Sequence, residues 1–142
     1  MRLPVLVAAL LLASYQADVS EWSLETITEE KTRGQITRAL LPEAGGRATL
    51  VIQGYRQAAD AIVYLREPAN AGQLHLFYRF DDDEPQERMA TVSPSGHVLR
   101  IWNEAEREAF ANAKRLRIQT KPLVVLDFDL RGIETIAAKL KC

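Results

Sequence analysis

Residues 72–83, Gly-Gln-Leu-His-Leu-Phe-Tyr-Arg-Phe-Asp-Asp-Asp, constrain the fold of this chain more than any other stretch. Leu74, Leu76, Tyr78 and Phe80 take alternate positions, and His75, Phe77, Arg79 and Asp81 fill the places between them. Side chains alternate between the two faces of a strand, so this segment reads as a strand with one apolar face and one mixed face. Burying the apolar set contributes about 1.5–3 kcal/mol per side chain. Their sum rivals the net stability of a whole domain, ~5–15 kcal/mol. The strand therefore belongs at the centre of a core.

The flanking segments read as further strands. Residues 22–29 and 35–41 are rich in strand formers and separated by a turn at 31–34; Pro42 ends the second, and Gly45-Gly46 punctuates a reversal. Residues 48–53 and 61–66 are short apolar runs, and 68–72 turn the chain into the central strand. After the acidic turn at 81–85, residues 88–93 and 97–102 flank Pro94-Ser95-Gly96 as a hairpin. The period then changes. Asn103 with Glu106 three residues later makes a capping-box pattern, followed by Ala105, Ala109, Phe110 and Ala113 at helical spacing. Leu116 and Ile118 alternate with polar neighbours, and residues 123–130 form an apolar strand after Pro122. Beyond Gly132, the stripe Ile133, Ile136, Ala137 and Leu140 marks a closing helix. Hairpin-length connections favour antiparallel pairing. The expected class is α+β: mainly antiparallel β-sheet, in one or two sheets, with two short helices in the C-terminal half.

The first residues carry a destination. Met1-Arg2 is a minimal positive start, Leu3 to Ala13 is apolar throughout apart from Pro4, and Ser14-Tyr15-Gln16-Ala17-Asp18 is a small and polar flank. The run is shorter than the ~20 apolar residues that span a bilayer and fits the apolar region of a secretory signal. The expected layout is a signal peptide over residues 1–17 and a single exported domain over 18–142, in the periplasm or secreted. Leu11-Leu12-Ala13-Ser14 resembles the stretch before a lipidated cysteine, but Tyr15 stands where the thiol would be.

Loss of residues 1–17 removes Arg2 alone from 18 basic residues and leaves all 19 acidic ones, a net charge of about −2. That is not the basic footprint of a nucleic-acid binder, and no stable membrane span remains in the mature form. The single cysteine is the last residue, Cys142, so no internal disulfide is possible. In an oxidising compartment it is a candidate for an intermolecular bridge, giving a disulfide-linked dimer, with an inert buried thiol as the alternative.

The residues by themselves name no reaction. His75 and His97 are the only histidines and have no zinc-ligand spacing with other histidines or thiols. No phosphate-cradling glycine loop, dinucleotide fingerprint or nucleophile elbow is present, and neither a cofactor nor a metal is expected. Asp81, Asp82, Asp83 and Glu84 form the densest carboxylate cluster, but a calcium loop starting at Asp81 would need glycine where Gln86 stands and glutamate where Val92 stands. A solvated turn is the simpler reading. Asp127 and Asp129 alternate with Leu126, Phe128 and Leu130 and share one strand face. Paired carboxylates suit acid–base work, though they also mark the wet side of a sheet. Trp22 and Trp102 each stand at an element edge and are the candidate interaction residues, with core or rim packing as the plainer alternative.

Several pieces in order carry a family resemblance. They are Trp22, the strand Thr49-Leu50-Val51-Ile52, the strand Phe77-Tyr78-Arg79-Phe80-Asp81, and the helix around Phe110 followed by Ala113-Lys114-Arg115-Leu116. The last is the ending Phe128-Asp129-Leu130-Arg131-Gly132 before Cys142. The chain resembles the TagO (VasI)-type exported accessory proteins of type VI secretion. The resemblance implies a small, non-catalytic accessory or binding protein of the envelope with an envelope protein partner. A cysteine that commonly follows the Thr49–Ile52 strand in that family is Gln53-Gly54 here. Two other functions compete: an inhibitor or immunity-type protein of an envelope hydrolase, and a carboxylate-dependent hydrolase using Asp127 and Asp129.

Overall fold

The computed structural model describes residues 21–28, 30–31, 33–55, 58–102, 106–120 and 124–140. The leader, Asn103 of the capping pattern and Cys142 lie outside these residues. The strands are β1 (Ser23–Thr28), β2 (Gln35–Pro42), β3 (Ala48–Tyr55), β4 (Ala58–Leu65), β5 (Gly72–Phe80), β6 (Gln86–Val92), β7 (Val98–Arg100), β8 (Arg115–Thr120) and β9 (Val124–Asp129). Between β7 and β8 lies helix α1 (Arg107–Asn112), and helix α2 (Ile133–Lys139) follows β9.

All nine strands join one sheet in the order β1-β2-β3-β4-β7-β6-β5-β8-β9. Every neighbouring pair is antiparallel. The first four strands form a meander because their connections are short. Gly46 supports one of these turns at φ +73°, donating its N–H to the Glu43 carbonyl at 2.9 Å. Gly96 closes the β6–β7 hairpin at φ +81°, where a Cβ would collide with the Ala69 carbonyl and Pro68. Only glycine meets both demands there.

Strand β5 lies inside the sheet between β6 and β8. Leu76, Tyr78 and Phe80 are buried, whereas His75, Phe77 and Arg79 are half-buried on the opposite face. The same alternation buries Leu116 and Ile118 on β8 and Leu126 and Phe128 on β9. The core is therefore one apolar sheet face wrapped on itself. At one end it is filled by an aromatic cluster in which Trp102 meets Phe110 edge-on, with ring centroids 4.8 Å apart, and Tyr78 at 5.7 Å.

Curling brings the far ends of the sheet together. The turn after β2 reaches the free edge of β9, where Ala44 N–H donates to the Asp127 carbonyl at 2.9 Å and Arg47 donates to that of Val125. Asp127 N–H donates in turn to the Glu43 carboxylate at 3.1 Å. Edge backbone groups left bare would template association with another chain; here the molecule covers part of this edge itself.

The expected α+β class does not hold. The fold is nearly all antiparallel β. The helical segments span only six and seven residues, about two turns each, too short to be stable by themselves. Phe110 of α1 and Ile133 of α2 are buried against the core, so these segments plug its end and form no separate layer. Glu106 itself stands at the start of α1 and makes no side-chain cap bond to the helix; its expected partner Asn103 lies outside the described residues. The Glu106 carboxylate binds Tyr78 and Arg88. Among the described residues, no helix is long and apolar enough to cross a membrane.

Candidate functional site

The outer face of β5, β8 and β9 gathers most of the ionisable side chains marked out by the sequence. Strand register places Arg79 opposite Arg117, and Arg117 opposite Asp127. Two residues along, Arg115 lies across from Asp129, yet its guanidinium turns to Asp127. It donates two parallel bonds to that carboxylate, from Nε at 2.9 Å and Nη2 at 2.6 Å. This fork-on-carboxylate geometry is among the stronger ion-pair arrangements. Asp129 is held in the same manner by Arg131, at 2.9 and 3.0 Å from Nε and 2.5 Å from Nη2.

The acidic turn comes to the same place. Asp81 ends β5 in the left-handed region at φ 52°, a conformation that aspartate tolerates better than most residues. Its carboxylate accepts the backbone N–H groups of Lys114 and Arg115, both at 2.9 Å. Asp81 therefore anchors the entry to β8, while Asp82, Asp83 and Glu84 stay exposed. Arg79, Asp81, Asp82, Lys114, Arg115 and Arg117 line a shallow recess of about 340 Å³. Two carboxylate clusters more than forty residues apart in sequence thus meet around Arg115.

The electrostatics follow from these bonds. The Arg115 fork holds the Asp127 carboxyl below its ordinary range, against the opposing effect of partial burial. Arg131 does the same for Asp129. Glu43 is only 4% exposed, and burial pushes its carboxyl up. The N–H groups of Gly45, Asp127 and Arg47, with the Arg47 charge, outweigh that push and leave it below its usual value. Such groups remain carboxylates throughout the neutral range and cannot serve as proton donors there.

A second polar cluster sits at the rim of the core. Tyr78 Oη donates to Glu106 at 2.6 Å, and Arg88 donates to Glu106 at 2.5 and 3.0 Å and to Tyr78 Oη at 3.1 Å. Burial, then the bond to Glu106, pushes the Tyr78 phenol up to about 12. The cluster ties β5 and β6 to the residue that opens α1, closing hydrogen-bonding groups that would otherwise be stranded at the edge of an apolar core.

The other sequence candidates are dispersed. His75 pairs with Glu87 on the outer face, and His97 stacks on Tyr64 with its Nδ1 2.7 Å from the Leu65 carbonyl. Trp102 points into the aromatic cluster at 7% exposure, and Trp22 packs partly buried against the core. No three metal-ligating side chains converge among the described residues. Sequence reasoning missed the arginines that organise the outer face, together with Glu43 and the Tyr78–Arg88–Glu106 cluster. The alternation in β8 does place Arg115 and Arg117 on the wet side of the sheet, but nothing local announces which carboxylates they meet.

No family model matches the chain. Over 99 residues it is 27% identical to Mediator of RNA polymerase II transcription subunit 6 from Aspergillus fumigatus, covering 68% of this chain and 31% of that protein. The matched region thus spans about a third of the curated relative's length. Among solved structures, invasion associated protein B from Bartonella henselae superposes with a TM-score of 0.58 at 12% identity, covering 85% of this chain and 90% of that one. This likeness shows a shared fold: the chain has the architecture of a small, β-rich bacterial protein.

Proposed function

We propose that this chain is a small, non-catalytic accessory protein of the bacterial envelope, exported by its leader and acting by binding another envelope protein. The carrying observation is the state of Asp127. The residue that the hydrolase alternative needs is gripped by both prongs of Arg115 and held below its ordinary pKa. A general acid for neutral conditions needs a pKa shifted the other way. Asp129 is bound likewise to Arg131, so neither carboxylate is poised to donate a proton. The apolar leader and the bacterial fold neighbour are consistent with this reading. By the TagO (VasI)-type resemblance the proposed partner belongs to a secretion apparatus, and an inhibitor or immunity-type role belongs to the same binding class. The similarity to a Mediator subunit covers a minor part of that protein, so it weighs less.

Affinity capture with tagged protein from a periplasmic extract tests the proposal. A stoichiometric protein partner is the expected outcome. Turnover of a cell-wall substrate by the pure protein, abolished in Asp127→Asn, would overturn it in favour of the hydrolase.

A further inference from the structure

The outer-face recess sets four cations, Arg79, Lys114, Arg115 and Arg117, against Asp81 and Asp82 of its lining and the adjoining Asp127, a surplus of one positive charge. Arg79 and Arg117 are directly opposed across the β5–β8 pair, where like charges repel. Arg115 is already committed to Asp127, and Asp81 to two backbone N–H groups. Arg117 feels the Asp127 charge, but its Nε is buried with no acceptor among the described residues. A buried donor without a partner is costly, and native structures rarely retain one without a reason. Arg79 likewise has no acceptor among the described residues, and Lys114 brings a third cation to the rim.

From this geometry we infer that the recess is a binding site for a phosphoryl group, held by Arg79, Arg117 and Lys114. A bound oxyanion relieves the Arg79–Arg117 repulsion and gives both guanidinium groups an acceptor in one step. Guanidinium forks match phosphate oxygens in pairs. Three cations around one pocket suit a phosphoryl group, whose bridging and non-bridging oxygens offer more acceptors than the two of a carboxylate. At about 340 Å³ the recess also has room for part of the group that carries the phosphate. That carrier is either a soluble phosphorylated molecule or the headgroup of an anionic phospholipid.

The test uses the full mature chain. Inorganic phosphate is titrated at constant ionic strength against chloride, with the thermal midpoint as readout, and in parallel the protein is sedimented with phosphatidylglycerol or phosphatidylcholine vesicles. Phosphate should raise the midpoint of the wild type beyond the chloride control. Arg79→Gln and Arg117→Gln should each weaken phosphate binding about ten-fold, the size of one charge-assisted hydrogen bond. Arg66→Gln, an exposed arginine outside the recess, should leave it unchanged. Arg117→Lys keeps the charge without the fork and serves if the glutamine variant fails to fold. Arginine-dependent sedimentation with phosphatidylglycerol alone assigns the headgroup, and a phosphate response without sedimentation assigns a soluble carrier. A wild type indifferent to phosphate and to both vesicles overturns the proposal, as does a response that survives Arg79→Gln and Arg117→Gln. Protein capture from the periplasm is a separate readout, so failure here leaves the proposed partner binding untouched.

Discussion

Glu43 ends the strand that opens onto the far edge of the sheet, and its buried carboxylate accepts backbone N–H groups from both sides of the closure. Removing an acceptor at such a point strands buried donors, so Glu43→Ala should cost about 1–3 kcal/mol in urea unfolding at neutral pH. The pH dependence has a definite sign. A carboxyl whose folded pKa lies below its ordinary 4.5 contributes stability above that value and loses it as the pH falls through the folded pKa. Wild-type stability should therefore decline on acidification from about pH 5 downward, and Glu43→Gln should flatten that decline. An unchanged slope would assign the acid sensitivity to Asp127 and Asp129. Tyr78 behaves in the opposite sense. With its pKa raised from 10.0 to about 12, its contribution is complete below pH 10.0 and fades as the pH climbs towards 12. In an ultraviolet titration of the tyrosines, the highest step should vanish in Tyr78→Phe. These two roles were illegible locally: Glu43 looks like any loop glutamate, and Tyr78 like one more apolar member of β5.

At the scale of elements, β5 and the turn after it separate scaffold from surface. Leu76 is fully buried between β6 and β8, so Leu76→Asp puts an uncompensated charge into the core and should unfold the domain, as read by loss of a cooperative melt. Asp82, exposed in the adjoining turn, should tolerate Asp82→Asn with a change of no more than ~0.5 kcal/mol. Loss of activity or of metal binding in Asp82→Asn at an unchanged melting midpoint would overturn the structural reading of this turn. The strands were legible because each carries its own period-two pattern; β8 occupies residues 115–120 as the alternation of Leu116 and Ile118 implies. The helices were legible in position but not in weight. Phe110 and Ile133 do lie on apolar stripes, yet the stripes last only two turns and plug a core that the sheet has already built.

For the whole molecule, export and the terminal thiol are the proposals that reach beyond the described residues. N-terminal sequencing of the protein from an expressing bacterium should begin between Tyr15 and Asp18, in the periplasmic or secreted fraction; an intact Met1 in the cytosol would defeat the export reading. Non-reducing gels should then show a disulfide-linked dimer that disappears in Cys142→Ser. By itself the sequence determined where strands run, which face of each is apolar, and that β5 packs into the core, because strand periodicity is written in neighbouring residues. Only the tertiary structure decided that nine strands form a single curled sheet, that the turn at Glu43 covers the β9 edge, and that Asp81 and Asp127 meet around Arg115. Those outcomes depend on strand order and curvature. Pairings between distant segments are set by the shape of the whole sheet, which no local pattern encodes.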